Sequence, residues 1–600
     1  MKTSLRKHAC VLLSLTLLLT LAACGGGSTS TTSSGTVYVG GTDAPGDFVD
    51  YTVTIQSLTL TRRDDTVVNL LPTAATLNLA EDDALTDLLN AATVPAGTYT
   101  SMVATLDYSQ ATIEAVSSSG QPVALEPVNS QGQALGTVSV PIEFGNNADL
   151  VVQPGEPRFL TLDFSLDASN TVNLTSNPPT VVVAPFLDAS IGVTSQPVRL
   201  RGPLDAVDLA SETYTVGIRP FFTGPDGGRV TIATAPTTVY DVNGTTYEGN
   251  AGLVALSGLP PLAAVSSRVT MDASTGTLTA TAVYAGSSVP GGTLDAVRGT
   301  VTAISGSSLT VLGAVLVRST GTVTYNTLFT VTTGPGTIVH QDGTMGTLAL
   351  NAISVGQRIT ALGTVSGTAP SSLVLDTDPG EIRLGFSVLR GTVVTTGSGD
   401  LTLDLLSIDH RPVSLFNFAG TGSSSALDAN PSDYVAATGA LGLAGLAGND
   451  PVRVAGFVTP YGSAPPDFNA VSVADYANAS AVVFLSWFPG ETNAAFTALN
   501  DGEIVPNLSS TPTIDVLKRG DVRVALTSLA SAPMIEPAAT GAYLIRQNGT
   551  LTLHRTFAGF VSDLGMRLNG GAEVKSFWAQ GGFNNTQDTL TALRIAVRLS

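Results

Sequence analysis

Cysteine is nearly absent from these 600 residues: Cys10 and Cys24, both close to the N-terminus, are the only two. Beyond residue 24 no disulfide can form, so buried apolar cores must supply the stability. Lysine is almost as scarce there, limited to Lys518 and Lys575, which excludes a phosphate-binding P-loop. Three histidines remain in that stretch, His340, His410 and His554, one in each of three separate units, so they cannot easily converge. No H-E-x-x-H, C-x-x-C or G-x-S-x-G occurs. No cofactor is expected from this inventory. Charged residues are only 12%, and the formal charge is -20 with no basic run. That excludes the electrostatic footprint of a nucleic-acid binder. It also excludes a polybasic patch that would press the chain onto an anionic bilayer.

What is present begins at the N-terminus. Lys2, Arg6 and Lys7 precede a run from Val11 to Ala23 that is almost purely apolar or small. A basic start and a short apolar run are the layout of a secretory signal. A spanning helix needs about 20 apolar residues, so this run is too short to remain as an anchor. It ends Leu21-Ala22-Ala23-Cys24, which resembles the lipobox of bacterial lipoproteins. The resemblance implies cleavage before Cys24, lipid on its sulfur and a membrane attached through that lipid. Gly25 follows the cysteine, where an aspartate tends to retain such proteins in the inner membrane, so the resemblance implies the outer membrane. Residues 24–35 then form a Gly/Ser/Thr spacer.

Thr, Val, Gly and Ser dominate the rest, in many short alternating runs separated by turn residues, which predicts an all-β chain. Residues 36–197 form the first expected domain. In Tyr51–Thr61, Val53 and Ile55 fall on one parity and Leu58 and Leu60 on the other, which predicts a bulge near Gln56 and Ser57. Met102, Ala104, Leu106 and Tyr108 alternate inward along another strand. Leu85, Leu88 and Leu89 stand at helical spacing and predict one short helix. Asp82, Asp83 and Asp87 would lie on its polar face and at its start. Four motifs follow in order: Thr42-Asp43-Ala44-Pro45, the leucine-rich Asn78–Leu89, Pro95–Tyr99 and Leu160–Phe164. Together they resemble a domain of unknown function found in bacterial lipoproteins. The resemblance implies a β-sandwich and no known activity. That family has D-L-L where this chain has Asn78-Leu79-Ala80, so any role of that aspartate does not carry over.

The remainder repeats. Arg201-Gly202, Arg298-Gly299 and Arg390-Gly391 open alternating strands at intervals of 97 and 92 residues. Arg268-Val269, Arg358-Ile359 and Arg453-Val454 follow at offsets of 67, 60 and 63. Two anchors in matching phase predict tandem domains, over 198–292, 293–386 and 387–478, with a diverged fourth copy over 479–600. Short linkers such as Ser287–Gly292 would couple them weakly. The three opening arginines are expected to be structural, because one junction repeated three times needs three copies. Gly299–Val301, Val355–Ile359 and Gly363–Val365 resemble another uncharacterised repeat domain of exported bacterial proteins. The resemblance implies a small barrel of OB type. Such barrels can bind nucleic acids or sugars, but these units are acidic and poor in aromatics, so only the fold carries over.

Few residues suggest chemistry. Asp376, Asp378 and Glu381, in D-T-D-P-G-E, have the oxygen ligands for a calcium ion, although a solvated turn at Pro379-Gly380 is the blander account. Gly439, Gly442, Gly445 and Gly448 recur every third residue, which is not a dinucleotide fingerprint and reads as a loop. Trp487 and Trp578 would suit a sugar site, against the commoner core role. The expectation is a non-catalytic envelope lipoprotein, its sandwich followed by barrels acting as a spacer or binding module toward an envelope polysaccharide or a protein partner. A carboxylate-based hydrolase of polysaccharide is the rival.

Overall fold

The computed structural model describes residues 33–600, apart from 44–47, 80–85, 117–121, 145–148, 192–197, 220–226, 368–372 and a few single or paired positions. The fold is all-β, with four successive groups of strands after the N-terminal sandwich.

The sandwich is organised around Phe48–Arg62 and Gly97–Val116, which pair antiparallel along most of their length. Register slips between Ile55 and Ser57, where the parity of the apolar residues switches. The extra residue turns both Val53/Ile55 and Leu58/Leu60 into one core, as the sequence required. Met102, Ala104, Leu106 and Tyr108 are buried in that core. Ser34–Asp43 and Arg158–Phe164 pair in parallel in the facing sheet.

The expected helix around Leu88 is not there. Thr86–Pro95 is a strand, pairing antiparallel with Ser34–Asp43. Leu89 packs into the sandwich core, while Leu88 packs with Val198 and Leu200 of the following unit. A strand buried on both faces loses its alternation and imitates a helical run. Residues 80–85, including Asp82 and Asp83, lie outside the described residues, as do Ala44 and Pro45.

Each of the next three units closes five strands by one circuit. In the first, Val198–Asp208 pairs antiparallel with Thr213–Gly217 and with Ala264–Met271. Thr213–Gly217 continues to Arg229–Ala233, and Ala264–Met271 to Leu278–Ala285. The ring closes in parallel, third strand against fifth, at Ala233 and Thr279. The second unit repeats this with Asp295–Ser305, Ser308–Val317, Val323–Thr332, Arg358–Ser366 and Val374–Leu384. The third does so with Ser387–Thr396, Asp400–Ile408, Tyr434–Ala437, Pro451–Val458 and Phe468–Asp475. The Arg-Gly anchors thus lie on the first strand of each ring and the Arg-Val anchors on the fourth, which are hydrogen-bonded neighbours.

The glycine of the anchor has a steric reason. A Cβ on Gly202 would fall on the Gly217 carbonyl oxygen, and one on Gly391 would come within 2.4 Å of the Asp404 oxygen. Register slips at Arg298/Thr300 and Arg390/Gly391. The first strand must bend to pair with two neighbours of a small ring, and glycine with a bulge provides that bend.

The fourth unit keeps the order but opens the ring. Ala481–Ser486 pairs with Ile514–Arg519 and with Val574–Asn584, which leads to Thr589–Leu599 and then, in parallel, to Met534–Gln547. Among the described residues no ladder joins Ile514–Arg519 to Met534–Gln547; each pairs instead with a short strand, Val522–Ala525 and Thr550–His554. The helix Phe557–Asn569 covers the inner face through Phe557, Phe560, Val561 and Leu564. Thr556 caps it, its hydroxyl accepting from the Gly559 amide.

Asp467 marks the closing seam of the third ring. Its carboxylate accepts from the Val435 amide at 2.8 Å, and its own amide donates to the Val435 carbonyl at 2.7 Å. Burial pushes the Asp467 carboxyl up to about 6, against the Val435 hydrogen bond, with Asp433 adding to the rise. A folded value above the unfolded one of about 3.9 means that the native ring binds the proton more tightly. This contribution is present at low pH and is lost as pH rises through about 4 to 6. The seam is expected to be more protected at pH 5 than at pH 7.5 by about 1 kcal/mol or less, discounted for partial water access. Hydrogen exchange at the Val435 amide, corrected for intrinsic rate, measures it, and Asp467→Asn should abolish the difference. An equal slope in that variant would reject the assignment.

Candidate functional site

Buried charge gathers where consecutive units meet. Between the first and second rings, Arg383 on the fifth strand of the second ring is 5% exposed. Its Nε donates to Glu381 at 2.6 Å and lies 3.5 Å from Asp241 of the first ring. Its Nη2 donates to the Ser288 carbonyl, and the guanidinium lies over the Tyr284 ring, 4.4 Å from its centre. The Ser288 hydroxyl donates to Asp241 at 2.6 Å. Arg268 of the first ring pairs with Asp342 of the second. His340, on the strand beside Glu381 and Arg383, turns Nδ1 to the Gly346 carbonyl at 2.8 Å, so that nitrogen carries the proton.

The electrostatics follow from burial. Loss of water pushes the Asp241 carboxyl up to about 6, with Arg383 opposing and Glu381 adding to the rise. Glu381 is buried too, but the Arg383 guanidinium outweighs that and holds it below the usual carboxylate range. Burial works against the charge on Arg383, and the two carboxylates outweigh it, so it stays firmly protonated. One cation therefore holds two acids from two different units.

The linker expected to couple these rings weakly is part of that joint. Gly286–Ser288 forms a single tight turn, Ser288 is buried, and the Gly244 amide donates to its hydroxyl. Ser and Gly commonly mark a solvated spacer, whereas here the Ser288 polar groups complete a buried network.

The second and third rings meet on Asp409, which is 2% exposed. It accepts from the Thr300 hydroxyl at 2.7 Å and the Val388 amide at 2.9 Å. Gln357 donates to the Gly385 carbonyl at 2.6 Å and accepts from the Val458 amide at 3.0 Å. Arg411, also buried, donates to the Asp409 carbonyl. Val355 of the second ring packs inside the core of the third. Arg390 is buried beside His410, its Nη2 3.0 Å from Nε2, while Arg201 and Arg298 lie half-buried on their strands. At the last junction Arg519 binds Asn585 and the Asn449 carbonyl, and Asn585 donates to Asp450 at 3.0 Å. The sandwich joins the first ring through backbone: Thr86–Pro95 pairs in parallel with Val198–Asp208, and the Ala91 amide donates to the Gly227 carbonyl.

The calcium candidates separate. Asp376 accepts from the Thr332 hydroxyl and the Asp378 amide, Asp378 from the Gly336 amide, and Glu381 is held by Arg383. They lie on a strand, so successive side chains leave opposite faces. Among the described residues no group of three or more His, Cys, Asp or Glu could hold a metal ion. His340, His410 and His554 lie in three different units, the last paired with Asp563 at 2.9 Å. Trp487 is buried, its indole donating to Ser510, whereas Trp578 is half-buried. Gly439, Gly442, Gly445 and Gly448 sit in the turns between Ala437 and Pro451. Asp87 is on the strand Thr86–Pro95. Cys24 lies outside the described residues.

Sequence reasoning missed Asp241, Arg383, Asp409 and Arg519. One signal was available: Glu381-Ile382-Arg383-Leu384 puts charge on one parity and apolar residues on the other. That pattern normally marks a solvated face, and only the neighbouring ring makes it interior.

The fold and its joints define a class: a multi-unit all-β chain in which a sandwich leads a row of small barrels. Within it, residues 34–178 match a family model described as a domain of unknown function (DUF4382), over the stretch that carries the four motifs above. A search of curated proteins finds no match.

Proposed function

We propose that this chain is a lipid-anchored envelope protein, held to the outer membrane through Cys24, whose OB-type barrels form a stiff spacer that carries a binding surface away from the bilayer. The observation that supports the spacer most is the chain of buried joints. Arg383, Asp409 and Arg519 each bind across a boundary, and apolar cores are shared across two of the boundaries. Opening such a joint breaks buried hydrogen bonds and exposes shared apolar surface, so bending there costs several kcal/mol rather than thermal energy. Flexible linkers would have served an arm that searches; fixed joints serve one that holds a distance. A non-catalytic role agrees with the placement of Asp241 and Glu381, close carboxyls that are buried and held by Ser288 and Arg383.

Distance measurement between spin labels tests the spacer. Labels at Ser257→Cys and Thr395→Cys, exposed sites on the first and third rings, bracket two joints; Cys10 and Cys24 are both replaced by alanine to leave two thiols. A single narrow distance distribution is expected. A broad distribution in the unmutated joints would reject a stiff spacer.

A further inference from the structure

One face of the C-terminal sheet has a pattern that neither the core nor the joints explain. Register aligns Val516, Phe484, Trp578, Ala596, Leu544 and Leu553 in a line across six adjacent strands. Their neighbours along the strands, such as Leu517, Leu485, Phe577, Ile595 and Tyr543, are buried in the core beneath the helix Phe557–Asn569. Alternation therefore puts the line on the outer face. None of its residues is fully buried, and Leu553 is 51% exposed.

The rows on either side are basic. One runs Ser576, Arg598, Arg546, and the other Lys518, Val482, Gln580, Arg594. No acid occupies any of these positions. Arg546 and Arg598 are direct register partners in parallel strands, and both are exposed. Burial and the like charge of Arg546 hold Arg598 below its ordinary value. Among the described residues no carboxylate pairs with Arg546, Arg594 or Arg598. Like charges directly opposite on a sheet destabilise it. The chain as a whole is strongly acidic, yet residues 479–600 hold nine Lys and Arg against nine Asp and Glu. Three of those nine cations, Arg546, Arg594 and Arg598, lie on the rows that flank the line through Trp578.

We propose that this face, centred on Trp578, Arg546, Arg594 and Arg598, binds a linear anionic polysaccharide bearing carboxylates. The line offers an indole on which a sugar ring can lie, and guanidinium forks pair bidentately with carboxylates. A nucleic acid is the less favourable polyanion. It carries a charge every ~1.7 Å along the duplex axis, and the field of the acidic units opposes so dense a chain. It also wants aromatics for successive bases, where this line has one indole and one phenyl ring. The inference deepens the binding half of the proposed function. It is independent of the spacer half, because label distances across the joints do not involve this face.

Calorimetric titration of the full chain in detergent tests it, with oligogalacturonate as the probe and neutral dextran oligomers and oligo-dT as comparators. Oligogalacturonate should bind, more weakly at high salt, and dextran should not. Arg546→Gln with Arg598→Gln should weaken binding at least about tenfold, and Trp578→Ala by about tenfold. The arginines are exposed, so their variant keeps the fold even if the tryptophan variant does not. No binding of oligogalacturonate, equal binding of dextran, tighter binding of oligo-dT, or an unaffected double-arginine variant would each overturn the proposal.

Discussion

Replacing Arg383 by alanine should destabilise the second ring and its joint by about 3–5 kcal/mol, the usual cost of deleting one member of a buried ion network. The loss has two parts. Deletion of the side chain removes packing against Tyr284 and the hydrogen bond to the Ser288 carbonyl. It also leaves Glu381 and Asp241 facing each other in a buried place without a cation. They can relieve this only by taking up a proton or admitting water, and either loosens the boundary. The distance distribution across this joint should then broaden, and stability should recover at low pH as the carboxyls protonate. Asp241→Asn with Glu381→Gln, added to Arg383→Met, should restore most of the stability, since uncharged groups of similar shape need no counter-ion. Denaturation midpoints and label distances read both effects. A midpoint and width unchanged in Arg383→Ala would refute the joint.

Cys24→Ala should have the largest effect on location: the protein leaves the membrane fraction, or remains as an uncleaved precursor. The reason is energetic. Each buried methylene of an acyl chain contributes about 0.8 kcal/mol, and stable anchoring takes more than one weak signal. The net charge of this chain opposes an anionic surface, and no helix among the described residues is long and apolar enough to cross a membrane. Radiolabelled palmitate should enter the unaltered protein and not the variant. Label in the Cys24→Ala protein, or a processed variant that still sediments with membranes, would reject the lipid assignment.

The sequence carried the strand content because period-two alternation is a local property. It also carried the bulge at Ile55/Ser57, where the parity change is written in the residues themselves. The ring repeat was legible through the Arg-Gly and Arg-Val anchors, which mark two hydrogen-bonded strands. What could not be read was anything decided by a second unit. Leu88 looked helical because a neighbouring core claims the other side of its strand. Glu381 looked like a metal ligand because its partner, Arg383, is two residues away on a strand that appears exposed until the first ring covers it. Ser287–Gly292 looked like a free linker for the same reason. The outer face of the last sheet lay beyond reach as well: its line of six residues comes from strands spread between Val482 and Arg598, and only register brings them together.

The parallel seam that closes each ring has a kinetic consequence. It rests on a single register pair in the first ring, three in the second and two in the third. The other ladders of these rings are longer. Each ring should therefore breathe at this slit before it unfolds, exposing a pair of strand edges for a moment. In the fourth unit the slit stands open in the native state, each lip covered by a short strand of its own. A lip uncovered in one copy is a template for the matching lip of another. Crowding many copies on one membrane, at high local concentration, would favour exchange of strands between neighbours and join separate molecules into a lattice without any new sequence.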